Sequence, residues 1–239
     1  MITNGFPSAN AMKTEIVDVA NGVTCSDIAD FPVAQASAVG AYLGDTLVVC
    51  GGWSSGNQES SKKCFRLTNS VWEEFVSMKE KRGYTAAIIY NHKLHGRQIH
   101  VFGGWSGSSM LQTSETITED GKVSQGPNLL TAIYFHSMTK INGTVSILSG
   151  GRTNTNDYSA KTWYYNHDTE AFTSGPDLME GRRYHGSALN VDKVTKSKIV
   201  VVTGGWRQIG NVRLDSTEML INGQWQTGTI QCRKQKKMF

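Results

Sequence analysis

The side chains best suited to contact another molecule follow four glycine pairs. The residue after each pair is large or charged, and the four are Trp53, Trp105, Arg152 and Trp206. A β-sheet core does not require a tryptophan one residue beyond two glycines, whereas tryptophan and arginine are enriched in binding hot spots. We therefore predict that these residues form a recognition surface, with packing inside the loops as the alternative.

Signatures of catalysis and metal binding are scarce. The chain has no C-x-x-C spacing for zinc and no P-loop or G-x-G-x-x-G sequence for phosphate groups. His136 and His185 occupy equivalent places in two repeats, and one histidine per repeat is more often hydrogen-bonded within a fold than bound to a metal. We predict no enzyme activity, no cofactor and no metal site.

The glycine pairs also indicate the architecture. They end at Gly52, Gly104, Gly151 and Gly205, at intervals of about fifty residues, which is typical of propeller blades or a solenoid. Each pair closes a run of β-branched and apolar residues, such as Val200 to Val202, and a polar loop follows. The chain is therefore predicted to be an all-β repeat protein.

Each repeat contains four short β-forming runs. In the second repeat they are Tyr84 to Tyr90, Ile99 to Phe102, Thr113 to Thr118 and a last run around Val123. A twisted four-stranded antiparallel sheet per repeat is the blade of a β-propeller. Trp72 and Trp225 lie in outermost strands, where we predict that they pack between blades rather than bind a partner.

These residues resemble the kelch repeat. Met78-x-x-x-Arg82 and the segment from Gly175-Pro176-Asp177-Leu178 to Arg182 and His185 are similar to the kelch segment that enters a blade. Ser114-Glu115 and Thr217-Glu218 resemble the start of its third strand. The resemblance covers roughly residues 14 to 228 and implies a kelch-type β-propeller.

The resemblance divides the chain into blades. We predict an N-terminal extension (1–13), a partial blade (14–30), four complete blades (31–78, 79–126, 127–176 and 177–228) and a basic tail (229–239). A kelch ring normally has six or seven blades, so we expect a fragment of a longer kelch protein. The alternative is a small ring closed by pairing the N-terminal strands with Thr229 to Cys232.

In kelch proteins the loops after Gly-Gly and the segments that enter the inner strands meet on one face. Aligning these segments places aromatic residues at three equivalent positions: Tyr84, Phe135 and Tyr184. We predict that they join Trp53, Trp105, Arg152 and Trp206 in one rim. The function predicted is a non-catalytic interaction module for a protein or peptide ligand, and filling of the channel mouth by the aromatic rings is the structural alternative.

The resemblance carries two further alternatives for function. One is the substrate-receptor propeller of a cullin ubiquitin-ligase adaptor, here without its BTB part. The other is an enzyme similar to galactose oxidase, with copper and two histidine ligands, or to sialic acid mutarotase. The iron-site spacing of the related plant specifier proteins is absent, because no glutamate has an aspartate four residues later.

Charge and apolar runs argue against nucleic acid and membrane partners. The formal net charge is +4, and the terminal residues Arg233, Lys234, Lys236 and Lys237 account for all of it. A basic tail without interleaved aromatic residues is normally a solvated chain end. No apolar run approaches the roughly 20 residues of a membrane-spanning helix. We expect no nucleic-acid binding and no membrane insertion.

Two cysteines and one sequon bear on the compartment. Cys50 ends a second strand and Cys64 lies in the third, so their Cβ atoms could come within disulfide range, and two buried free thiols are the alternative. Some secreted arthropod kelch-like proteins are similar in this arrangement. Asn142-Gly143-Thr144 is a glycosylation sequon. Together these features favour an extracellular location.

Overall fold

A computed structural model describes residues 2–3, 12, 14–18, 23–25, 28–54, 58–153, 158–191 and 196–228 of the chain. These residues form β-strands, turns and one short 3₁₀ turn, Ile209–Asn211. In the described part of the chain, no helix is long and apolar enough to cross a membrane. The predicted tail, 229–239, and the strand pairing proposed for Thr229 to Cys232 lie outside the described residues.

The strands are short and follow one another closely along the chain. Those of the first half are β1 (Ile2–Thr3), β2 (Thr14–Asp18), β3 (Val23–Cys25), β4 (Val39–Leu43), β5 (Thr46–Cys50), β6 (Trp53–Ser54), β7 (Glu59–Ser60), β8 (Lys63–Thr68), β9 (Val71–Ser77), β10 (Ala86–His92), β11 (Gly96–Phe102), β12 (Ser114–Thr118) and β13 (Val123–Gln125). Those of the second half are β14 (Ile133–Tyr134), β15 (Ser137–Lys140), β16 (Val145–Ser149), β17 (Arg152–Thr153), β18 (Thr162–Asn166), β19 (Ala171–Ser174), β20 (Gly186–Val191), β21 (Lys198–Thr203), β22 (Trp206–Arg207), β23 (Val212–Arg213), β24 (Thr217–Ile221) and β25 (Gln224–Gly228).

Four four-stranded antiparallel sheets repeat along the chain. Sheet 1 has the order β4-β5-β8-β9, sheet 2 β10-β11-β12-β13, sheet 3 β15-β16-β18-β19 and sheet 4 β20-β21-β24-β25. Tight hairpins connect the outer strands, as at Asn222-Gly223, where both residues have positive φ and form the turn that suits a twisted hairpin. The predicted all-β architecture of four-stranded antiparallel sheets is confirmed.

The N-terminal strands form a separate sheet with the order β1-β2-β3. Strands β2 and β3 come from residues 14–30, the region predicted to be a partial blade. The segment 1–13, predicted to be an extension, contributes β1, which pairs Ile2 with Glu15 and Thr3 with Thr14. A hydrogen bond connects this sheet to sheet 1, in which the Trp72 indole nitrogen donates to the Thr14 hydroxyl over 3.1 Å.

Apolar side chains fill the spaces between successive sheets. Val48, Ile99 and Val101 belong to the cluster between sheets 1 and 2, and Ile147 and Val202 to the cluster between sheets 3 and 4. Trp72 and Trp225, the two tryptophans predicted to be core residues, are each only 7% exposed. The inner strands β4, β10, β15 and β20 follow one another side by side, so the sheets form an arc with the same edge inward.

In sheets 1 to 3, the first glycine of the pair lies where one sheet meets the next. At Gly51 and Gly103, φ is +69° and +57°, and a Cβ atom at Gly103 would lie 2.6 Å from the Ile133 carbonyl oxygen. The backbone N–H of Gly104 donates to that oxygen over 2.8 Å. The N–H of Gly52 donates to the Arg82 carbonyl oxygen in the same way. Only a residue without a side chain allows this close approach.

The fourth sheet differs because no further sheet covers it among the described residues. Its inner strand is largely exposed, with Gly186, Ala188 and Asn190 open to solvent, whereas alternate residues of β10 are buried. The nearest atom to a Cβ placed on Gly204 would be the Leu214 carbonyl oxygen at 3.6 Å, in the segment that leads into β24 of the same repeat. In the described residues the arc is therefore open at sheet 4.

A disulfide joins Cys50 of β5 to Cys64 of β8, which are paired in register. The bond closes a loop over a sequence separation of 14 residues. We expect the double substitution Cys50→Ala with Cys64→Ala to lower the free energy of unfolding by about 3 kcal/mol, since a loop of this size gives such a value in the chain-entropy account. Urea denaturation measures the loss, and intact mass after alkylation without reductant provides the control, because an alkylated wild-type pair would contradict the bridge.

Candidate functional site

The predicted rim is held together by a chain of backbone hydrogen bonds at the inner ends of the sheets. The N–H of Tyr84 donates to the Ser37 carbonyl, that of Phe135 to Tyr84, and that of Tyr184 to Phe135, over 2.9 to 3.1 Å. All four residues have φ between +55° and +60°, the left-handed region that non-glycine residues seldom adopt. Hydrogen bonds between neighbouring sheets therefore hold one residue per sheet in the left-handed conformation.

This backbone arrangement brings three aromatic rings together. The ring centroid of Phe135 lies 4.4 Å from Tyr84 and 3.9 Å from Tyr184, while Tyr84 and Tyr184 are 6.1 Å apart. Tyr134 packs on Phe135 at 4.0 Å. Phe135 is buried and Tyr184 is 45% exposed, so the cluster offers an accessible edge above a packed base.

The loop residues predicted for the rim reach this cluster to different degrees. Trp53 lies 6.0 Å from Tyr84, and Trp105 lies 5.5 Å from Tyr134, measured between ring centroids. Arg152 donates from Nη1 to the Tyr134 hydroxyl over 3.0 Å. The ring contact of Trp206 is instead with the Arg213 guanidinium, at 5.2 Å.

Arg183 belongs to the cluster and was missed by the sequence analysis. Its guanidinium carbon lies 4.3 Å from the ring centroid of Tyr158 and 5.3 Å from those of Phe135 and Tyr184. A signal was present, because Arg183 precedes Tyr184 as Tyr134 precedes Phe135, at the position whose backbone pairs with the residue after Gly-Gly. We call Tyr84, Tyr134, Phe135, Tyr158, Tyr184, Arg152 and Arg183 the mouth cluster.

The environment keeps Tyr84 and Tyr184 neutral by raising the pKa of each phenol. Burial raises the pKa of Tyr184, and the neighbouring Tyr84 raises it further. Burial and then Tyr134 raise the pKa of Tyr84. A neutral phenol both donates and accepts a hydrogen bond, and the two arginines supply fixed positive charge beside it. The cluster can thus bind an anion and exchange protons with a hydroxyl group.

The two equivalent histidines lie beneath the mouth cluster as buried neutral side chains. Burial lowers the pKa of His136 to about 4. Burial, and then the charge of Arg182, lower that of His185 to about 3. His185 Nε2 lies 2.8 Å from the Ser137 hydroxyl. Across the described residues, no three histidine, cysteine, aspartate or glutamate side chains are placed to hold a metal ion.

Asn142, the sequon residue, lies on the exposed turn between β15 and β16. Its side-chain oxygen accepts hydrogen bonds from the Thr144 backbone over 2.9 Å and from the Thr144 hydroxyl over 3.1 Å. A Cβ atom on Gly143 would meet nothing within 4 Å. The sequon is therefore accessible, and glycosylation at Asn142 stays a prediction.

Comparison with known proteins adds a fold likeness. No protein-family model and no curated protein sequence matches the chain. Among solved structures, YjhT is similar with a TM-score of 0.71 and 11% sequence identity, over 84% of this chain and 73% of that one. YjhT has a β-propeller fold, and the likeness shows a propeller-like fold here.

The same comparison corrects the predicted function. YjhT is a sialic acid mutarotase, so the structural match is an enzyme rather than a passive binding module. The predictions of a non-catalytic interaction module and of no enzyme activity were therefore wrong, and the mutarotase alternative fits better. They were based on the absence of familiar catalytic motifs, and a site assembled from separate sheets need not contain a contiguous motif.

Proposed function

We propose that this chain is a kelch-type β-propeller enzyme that interconverts the anomers of an acidic sugar at the mouth cluster. In this proposal sheets 1 to 4 are four blades and β1 to β3 are part of another. The likeness to YjhT supports the propeller and the class of reaction. The arrangement of Arg183 and Tyr184 supports the type of substrate.

The observation that carries the proposal is a guanidinium group held among aromatic rings at the mouth. Arg183 stacks on Tyr158 at 4.3 Å, and Arg152 lies 5.9 Å from the Tyr134 ring centroid. Arginine binds carboxylate groups with paired hydrogen bonds, and aromatic faces pack against the apolar face of a sugar ring. A sugar with a carboxylate next to its anomeric carbon matches both groups at once.

The reaction requires only a redistribution of protons. The anomeric O–H loses its proton, the ring oxygen gains one, and the bond between the anomeric carbon and the ring oxygen breaks to give the open chain. Closure on the other face of the carbonyl reverses these changes. Tyr184, kept neutral by its surroundings and 45% exposed, can accept the first proton while it donates its own to the ring oxygen.

The test measures anomer equilibration by proton NMR, starting from α-N-acetylneuraminate freshly released by a sialidase. We expect the wild-type chain to accelerate equilibration over buffer. Arg183→Gln should lower kcat/KM by about 10- to 100-fold, because a charge-assisted hydrogen bond to the carboxylate is lost. Tyr184→Phe should lower kcat by about 100-fold with little change in KM, since the proton relay is removed.

The matched control is Arg213→Gln. Arg213 is also stacked on an aromatic ring, that of Trp206 at 5.2 Å, but it is outside the mouth cluster. This variant should retain the wild-type rate. The proposal fails if the wild-type chain leaves the equilibration rate at its value in buffer, or if Arg183→Gln matches the wild type.

A further inference from the structure

A polar cleft lies at the end of sheet 2 opposite to the mouth cluster. Its volume is about 370 Å³. Gln98, near the start of β11, lines it, whereas the end of β11 leads into Gly103 at the mouth. The outer strands β12 and β13 and a turn of sheet 3 complete the lining, with Thr116, Ser124, Gln125 and Glu170 among its residues.

The packing behind this cleft is unusual for the repeat. His100 stands three residues before its glycine pair and is fully buried, whereas the same position in the other sheets carries Val48, Ile147 and Val201. The His100 ring nitrogen Nε2 lies 2.8 Å from the Ser114 hydroxyl. A buried polar ring in place of an aliphatic one is costly unless its hydrogen bonds are met.

More polar groups continue from His100 towards sheet 3. Tyr90 stacks on His167 at 4.8 Å and hydrogen-bonds to Gln98, the buried residue that lines the cleft. The buried hydroxyl of Tyr165 and the Nδ1 atoms of His100 and His167 have no hydrogen-bond partner among the described residues. The wall between sheets 2 and 3 therefore contains buried polar atoms that have no hydrogen-bond partner among the described residues.

His92, one of two histidines at the cleft opening, is arranged to donate a hydrogen bond. His92 Nδ1 accepts the backbone N–H groups of Leu94 and His95 over 3.1 and 3.2 Å, which leaves the proton on Nε2. The ring of His95 stacks on that of His92 at 4.7 Å. In this tautomer Nε2 is a donor, so it suits a hydroxyl oxygen and not a metal ion.

We propose that this cleft is a second site, independent of the mouth cluster, that binds a neutral carbohydrate. Lys122 and Glu170 in the lining offset each other, so the cleft has no excess charge to select an ion. Hydroxyl, amide and imidazole groups supply both donors and acceptors, which matches a ring with several hydroxyl groups. The volume falls in the range of small-molecule sites, roughly 300–1,000 Å³.

Saturation-transfer NMR with D-glucose, D-galactose, D-mannose and N-acetyl-D-glucosamine tests this site. We expect at least one of these sugars to receive saturation from the wild-type chain. Ser124→Phe, which fills the cleft from β13, should reduce the signal at least about tenfold. Gln125→Ala removes an exposed amide without adding bulk and should also weaken the signal, so a folding defect in the larger variant leaves the test intact.

Two controls separate this site from the rest of the surface. Ser108→Phe places the same bulk in a separate groove, which Glu59 and Lys81 also line, and should retain the sugar signal. Arg183→Gln should retain it as well, although that variant loses the proposed mutarotation, so the two proposals can fail separately. The cleft proposal is overturned if none of the four sugars receives saturation, or if both Ser124→Phe and Gln125→Ala bind as the wild type does.

Discussion

Arg82→Met is expected to lower the free energy of unfolding by about 3–5 kcal/mol, the cost of breaking a buried ion pair. Arg82 is fully buried, and its guanidinium contacts the Glu115 carboxylate at 3.1 Å. It also donates to the carbonyl oxygens of Gly103 and Thr113 over 2.8 and 2.9 Å. Methionine fills much of the same space, yet it leaves the Glu115 charge buried without its cation. Urea denaturation with the wild type alongside measures the loss.

The control is Arg66→Met, because Arg66 pairs with Glu73 on the surface, where the two side chains are 45% and 50% exposed. Such pairs contribute at most about 1 kcal/mol, and the control should change stability by no more than that. A comparable loss in the two variants would show that the buried Arg82 pair has no special contribution.

The internal repeats suggest a second substitution that restores stability to Arg82→Met. Sheet 4 carries the same pair as Arg182 and Glu218, whereas sheet 3 carries Ile133 and Trp163 at the two equivalent positions. Both partners are thus replaced together by apolar residues. We expect Glu115→Leu to restore part of the stability lost in Arg82→Met, since replacing both members of a buried pair is far milder than removing one.

Much of the fold could be predicted because each repeat carries its own sequence signals for strands and turns within a few consecutive residues. Each glycine pair ends a strand, the pairs of sheets 1 to 3 approach the next sheet, and the outermost tryptophans Trp72 and Trp225 are buried as expected. These features depend on strand alternation and on the absence of a side chain, both of which can be read from a few consecutive residues. The strand β1 was missed because two residues far from their partner carry no periodic pattern.

The candidate site could be predicted only in part. Tyr84, Phe135 and Tyr184 were found because they occupy equivalent places in three repeats. Arg183 was missed because its equivalents are Tyr134 and Gly83, so the three residues share a position in the repeat but not a residue type. Its contact with Tyr158 joins residues from an entrance segment and a loop, and only packing in three dimensions brings them together.

Mild acid is expected to destabilise the chain through its buried histidines. The pKa of His136 is lowered from 6.5 to about 4, and that of His185 from 6.5 to about 3, in both cases chiefly by burial. Between pH 6.5 and 4 the unfolded chain binds protons that the folded chain does not, so stability falls as the pH falls. From pH 7 to pH 5 each histidine should remove about 2 kcal/mol, or roughly 4 kcal/mol together.

The measurement is the difference in unfolding free energy between pH 7 and pH 5, from urea denaturation of the wild type and of His136→Phe. Phenylalanine keeps an aromatic ring in the buried site and cannot bind a proton, so the pH-dependent loss should shrink by about 2 kcal/mol. His95→Gln is the matched control, because His95 lies on an exposed turn, and it should leave the loss unchanged. An equal loss in the wild type and in His136→Phe would mean that His136 binds its proton as readily in the folded chain as in the unfolded one. In that case the acid sensitivity would have to come from other groups.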